Sequence, residues 1–181
     1  MILSLHIIAI AILGLSALAA AAANVRGRRA LDVASAGCVA ACLLGFGAAL
    51  AALLHGPDDS WRGLARLPMG EISLGIDALS SVFLLLVFAV AGLAAAFGRS
   101  YLASYEESYP LAPAAALFNL LVASMAALLL ARDGVFFLLA WEAMSLASYF
   151  LVAFEDLEPQ VRRAGLLYLV ASHFGAACLL V

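Results

Sequence analysis

The chain has 181 residues, 67% of them hydrophobic and only 12% charged, with a formal net charge of −3. Soluble domains carry about 45–50% apolar and about 25% charged residues, so this composition excludes a water-solvated fold and calls for lipid. A backbone in lipid must satisfy its own hydrogen bonds, which predicts an all-α, multi-pass membrane protein; with no basic patch, no nucleic-acid partner is expected.

A membrane-spanning helix needs about 20 apolar residues. Six windows qualify, near 2–23, 31–54, 78–98, 114–131, 134–154 and 164–181, and together they define one membrane domain over 1–181. The first window lacks a basic start. Its positive charges, Arg26, Arg28 and Arg29, follow it, the reverse of a cleavable signal peptide, although SALAAAAAN imitates a small-residue cleavage site. The second window places Gly37, Ala41 and Gly45 on one face, where small residues let helices approach closely.

Pro57, Asp58 and Asp59 stop the second helix, and Pro68 breaks any helix before the third. Between them and the third span, EISLGID alternates Ile72, Leu74 and Ile76 with Ser73 and Gly75, a short strand-like pattern. Asp77 then stands where an N-cap belongs. Past the third span, Tyr101, Tyr105 and Tyr109 recur every four residues, as an aromatic anchor at headgroup level would. Asn119 in the fourth window is able to hydrogen-bond across helices. Arg132-Asp133-Gly134 makes a tight turn, with Asp133 capping the fifth helix, so helices four and five are antiparallel neighbours.

All nine basic residues are Arg; the chain holds no Lys. Arg26, Arg28, Arg29, Arg99, Arg162 and Arg163 fall on one side, and Arg62, Arg66 and Arg132 on the other. The positive-inside rule then predicts an N-terminus outside and the six-Arg face in the cytoplasm.

Glu142 lies inside GVFFLLAWEAMSLASYFLVAF, near the expected bilayer midplane. An acidic side chain there costs about 2.5–3.5 kcal/mol, and groups kept at that cost commonly move protons. On a helix Glu142 shares a face with Ser145 and Tyr149, with Ser148 slightly off it. Such a set makes a short polar track; the plainer reading is a hydrogen bond that packs helices. His173, beside Ser172 in the sixth window, is a second candidate, either a proton carrier or an interior hydrogen bonder. His6, His55 and His173 lie at different depths, which argues against a bis-histidine haem. Cys38, Cys42 and Cys178 sit in apolar segments as small packing residues, although Cys38 and Cys42 are one turn apart. No phosphate loop, Cys-x-x-Cys or nucleophile elbow is present, so neither cofactor nor metal is expected in this chain.

IDALSSVFLLLV, FNLLVASMAALLLARDGVFFLLAWEAMSLASYFLVAFE and RRAGLLYLVASHFGAACLL together resemble the N-terminal part of the proton-pumping, antiporter-like membrane subunits. These include the large membrane-arm subunits of complex I, Mrp-type antiporter subunits and component B of hydrogenase-4. The resemblance covers roughly residues 70–181, and the Trp141–Glu142 pair is its specific part. It implies a fold of about fourteen helices with two inverted repeats, of which this chain is the N-terminal portion. It also implies a proton-pathway role for Glu142, and a bacterial cytoplasmic membrane as the location. The implied function is proton translocation within a respiratory-type oxidoreductase complex of membrane and peripheral subunits, with electron transfer carried elsewhere. Exchange of sodium for protons by an Mrp-type subunit, and a transport-silent structural subunit, are the alternatives. In the family the glutamate is paired with a lysine on a broken seventh helix. That helix is outside this sequence, so a fragment of a longer subunit is the expectation.

Overall fold

A computed structural model describes residues 1–22, 28–56, 59–67, 70–105, 109, 111–154 and 158–179. Arg26, Pro57, Asp58, Pro68 and Val181 lie outside the described residues, as do the side chains of Asp59, Arg62 and Arg66. Among the described residues six helices form: α1 Ile2–Ala22, α2 Arg28–His55, α3 Ala78–Ala103, α4 Leu111–Leu130, α5 Gly134–Val152 and α6 Pro159–Leu179. Strands β1 Asp59–Leu67 and β2 Gly70–Ile76 make an antiparallel hairpin between α2 and α3. The alternation over Ile72–Ile76 anticipates β2; its partner β1 was not anticipated, so the structure is helical apart from this hairpin.

Helices α1 to α5 are long and apolar enough to cross a membrane. Among the described residues, the expectation of six such spans is met by five. Helix α6 has 21 residues but starts at Pro159, earlier than its apolar window, and so takes Arg162 and Arg163 into its first turns. Proline suits a first helical position because its missing N–H would have no partner there. At the other end of the molecule Gly56 closes α2 with φ of +89°, a left-handed conformation that glycine adopts at no steric cost.

Helix α2 packs against α1, α3 and α4. Lipid is as apolar as leucine, so tight packing and hydrogen bonds, not expulsion from water, hold helices together in a membrane. The small-residue face of α2 supplies the packing. A Cβ at Gly37 would lie 2.5 Å from Ser16 Cβ of α1, and one at Gly45 would lie 2.4 Å from the Phe88 ring of α3. Phe88 is 1% exposed in that slot. Cys42 packs on Gly92 of α3, its sulfur 4.0 Å from that of Cys38, as packing residues would.

The hydrogen bonds converge on Asn119 of α4. Its Nδ2 donates to Ser16 Oγ of α1 at 2.8 Å and to the Ala34 carbonyl of α2 at 3.0 Å, while Ser16 Oγ donates to Leu13 O. One buried amide thus ties three helices together. Helix α5 packs against α4 and α6. Large apolar side chains such as Leu139, Phe150, Leu167 and Phe174 face outward from α5 and α6, as a lipid or protein contact in the membrane requires.

The hairpin end is locked to the α4–α5 turn. Asp133 Oδ1 caps α5 by accepting from Phe136 N–H, and its Oδ2 accepts from Ser73 N–H of β2. Arg132 N–H donates to Ser73 O, and Leu74 and Ala131 form an isolated bridge. The Arg132 guanidinium pairs with Asp77 Oδ2 at 2.9 Å and lies over Gly75, where a Cβ would come within 2.8 Å of Nε. Asp77 also caps α3 through Oδ1 and Ser80 N–H. Hydrogen bonds from Ser80, followed by Arg132, hold the Asp77 carboxyl below the ordinary aspartate range.

Candidate functional site

Asp133 fixes where α5 begins, and Glu142 falls near the middle of that helix. Helix α6 runs antiparallel beside it. Three contacts set the register between them: Tyr149 and Ala153 against Gly165, Ser145 with Ser172, and Glu142 with His173. Only Gly165 and Ala176 of α6 are buried among its described residues. At Gly165 a Cβ would lie 3.3 Å from the Tyr149 ring, so the small residue lets the two helices close up.

Glu142 and His173 are in direct contact, His173 Nε2 to Glu142 Oε2 at 3.0 Å. The other ring nitrogen, Nδ1, lies 2.9 Å from the Leu169 carbonyl oxygen. A carbonyl oxygen only accepts, so Nδ1 carries a proton. Neutral imidazole then offers a lone pair at Nε2, and an ionised carboxylate offers lone pairs as well. Two acceptors do not bond, so the contact requires one further proton between them. That proton resides on the carboxyl, giving a neutral pair, or on Nε2, giving an imidazolium and a carboxylate. The two arrangements have the same proton count and the same net charge of zero. Moving the proton across 3.0 Å therefore leaves the net charge of the pair unchanged.

The side chains are 37% exposed for Glu142 and 46% for His173, so the pair lies at the α5–α6 surface. Ser145, fully buried one turn further along α5, shares a hydrogen bond with Ser172. Trp141, before the glutamate, has a buried indole Nε1 without a partner among the described residues and stacks against Phe137.

The structure thus brings together Glu142, His173 and Ser145 of the sequence-predicted set. Tyr149 occupies the same face two turns from Glu142, where its ring packs on Gly165 and Phe150. Ser172 is the member that sequence reasoning did not assign. Its signal was its position beside His173, which opposes the Glu142–Ser145 spacing across an antiparallel pair. The cation for Glu142 was expected beyond this sequence, and the structure supplies a titratable partner within it. His6 is fully buried near the start of α1; its Nδ1 donates to Ile2 O, and its Nε2 has no partner among the described residues.

A polytopic helical membrane protein with an acid–imidazole pair at the middle of α5 is the class that fold and site define. No family model matches the chain. Sequence similarity connects it with an uncharacterized protein of Mycobacterium tuberculosis, 37% identical over 116 residues, covering 64% of this chain and 18% of that protein. It is 32% identical to NADH-quinone oxidoreductase subunit L of the same organism over 155 residues, covering 80% of this chain and 24% of the relative. It is 30% identical to hydrogenase-4 component B of Escherichia coli over 112 residues, covering 61% of this chain and 16% of the relative. The chain spans 16% to 24% of the length of these relatives. At this level the similarity supports the antiporter-like, complex I type of membrane subunit.

Proposed function

We infer that the chain is the N-terminal part of an antiporter-like subunit that translocates protons in a respiratory-type oxidoreductase complex of a bacterial cytoplasmic membrane. The observation that carries the reading is the Glu142–His173 contact, with Nδ1 of the imidazole already committed to Leu169 O. The pair holds one shareable proton at mid-depth and accepts or releases it when a neighbouring charge changes. A charge several Å away in a poorly screened interior changes the balance by a few kcal/mol, enough to reset which partner is protonated. Ser145 and Ser172 extend the polar path by one hydroxyl pair, since a hydroxyl both donates and accepts. The names of the relatives support the setting: a hydrogenase-4 component and a quinone oxidoreductase subunit. Electron transfer belongs to other chains of the complex. The N-terminus is outside and the arginine-rich end faces the cytoplasm.

The test uses the complete subunit in its assembled complex. Glu142→Gln keeps the shape and a hydrogen-bonding end but holds no exchangeable charge. Coupled proton translocation, followed with a pH-sensitive dye in closed vesicles, is expected to fall to background while the complex stays assembled. Wild-type translocation by that variant removes the pair from the mechanism.

A further inference from the structure

At the arginine-rich end, away from the Glu142 site, two apolar cavities meet at one ion pair. The first is about 530 Å³ and lies between α2, α3, α4 and α5, lined by residues such as Ala34, Gly98, Ala115, Phe118 and Leu151. The second is an open groove of about 650 Å³ on the outer side of α2 and α3, lined by Ala36, Val39, Ala40, Leu43 and Ala96. Ser35, Ala95 and Arg99 line both. Alanines recur in both walls, Ala34, Ala94, Ala95, Ala114 and Ala115 in the first and Ala36, Ala40, Ala95 and Ala96 in the second, and their short side chains leave room for the cavities. Ligand sites typically measure about 300–1,000 Å³ and combine apolar walls with a few placed polar groups.

Of the placed groups, Arg99 stands where the two cavities join and Asp32 lines the second. Arg99 Nε donates to Asp32 Oδ1 at 2.6 Å, and both side chains are about half exposed. The bond through Nε leaves the terminal guanidinium nitrogens and Asp32 Oδ2 for a ligand. Their arrangement is a fixed cation beside a fixed anion. Tyr101 lines the first cavity near this mouth, and its ring stacks on Tyr105 at 5.4 Å. Tyrosines of this kind mark the level of lipid headgroups.

We propose that this end of the bundle binds one phospholipid with a primary-ammonium headgroup, phosphatidylethanolamine, its phosphate on Arg99, its ammonium on Asp32 and one acyl chain in each cavity. Guanidinium groups grip phosphate oxygens through paired N–H donors. The ammonium donates to the free carboxylate oxygen. A choline headgroup has no N–H to give Asp32, and a glycerol headgroup has no cation to set against it. The headgroup dipole thus matches the side-chain dipole, and two acyl chains match two cavities that share Ser35, Ala95 and Arg99.

The test measures lipid retention. The complete subunit with its partner chains is placed in bilayers holding equal parts of phosphatidylethanolamine, phosphatidylcholine and phosphatidylglycerol. It is then extracted in mild detergent, and the retained lipid is identified by mass spectrometry. Phosphatidylethanolamine is expected to be enriched about fivefold over each competitor, the factor for roughly one kcal/mol of headgroup recognition. Asp32→Asn is expected to abolish the preference over phosphatidylcholine, and Ala95→Leu, which fills both grooves, to lower total retention. Retention that follows the bulk composition overturns the proposal, even if neither variant assembles. So does a quinone, or a protein segment of the complete subunit, found in the cavities. Proton translocation is not read in this assay, so its outcome is independent of the Glu142 account.

Discussion

Replacing Asn119 by Leu removes the amide that joins α1, α2 and α4. The side chain is 1% exposed and donates to Ser16 Oγ and Ala34 O. Interhelical hydrogen bonds within membranes average about 0.6 kcal/mol, with a maximum near 1.7. The partners left behind are not orphaned: Ser16 Oγ still donates to Leu13 O, and Ala34 O keeps its intrahelical bond. The unsatisfied-group penalty is therefore absent, and two average bonds give a loss of about 1.2 kcal/mol. The assay is denaturant unfolding in mixed micelles, followed by loss of helical circular dichroism. Ser16→Ala combined with Asn119→Leu closes a double-mutant cycle whose coupling energy is expected near 0.6 kcal/mol. Stability unchanged in Asn119→Leu, or strictly additive single losses, would refute the three-helix tie.

Gly45→Ala drives a Cβ into the Phe88 ring, where the nearest atoms lie 2.4–2.6 Å away. Overpacking of this kind costs about 1–3 kcal/mol, and Phe88→Leu in the same chain is expected to recover part of it. Additive losses in the double variant would count against the ring-in-slot packing. Asp77 supplies a pH test. Its folded pKa is depressed, so its contribution is present above the unfolded aspartate value of about 3.9 and is lost as pH falls through the lower folded value. The pair with Arg132 is half exposed, which limits the effect to about 0.2–1 kcal/mol. Unfolding midpoints compared at pH 7 and pH 3 should show this acid-dependent loss in the wild type and its absence in Asp77→Asn. Equal losses in both proteins would contradict the lock.

Much of the helical architecture was legible because lipid imposes simple terms on a sequence. Apolar length marks α1 to α5, and the Arg132-Asp133-Gly134 turn fixes α4 and α5 as neighbours, with Asp133 capping as expected. The small face of α2 and the crossing bond of Asn119 were legible for the same reason. Strand β1 was not, because DSWRGLARL lacks the alternation that reveals β2; it becomes a strand through pairing with β2. The start of α6 was obscured by Arg162 and Arg163, which an apolar window rejects and a helix accepts. At the site, residue spacing placed Glu142 and Ser145 on one face. It did not give the rotation of α6, so the partnership of Glu142 with His173 and of Ser145 with Ser172 became visible only in the packed pair.

The central claim is that Glu142 and His173 share one proton, and difference infrared spectroscopy across a pH titration reads it directly. Carboxyl bands assigned with Glu142→Gln and imidazole bands assigned with His173→Gln are expected to change together. The Glu142 band is expected to shift when His173 is replaced. Bands that titrate independently, or a carboxyl signal indifferent to the loss of the imidazole, would contradict the account.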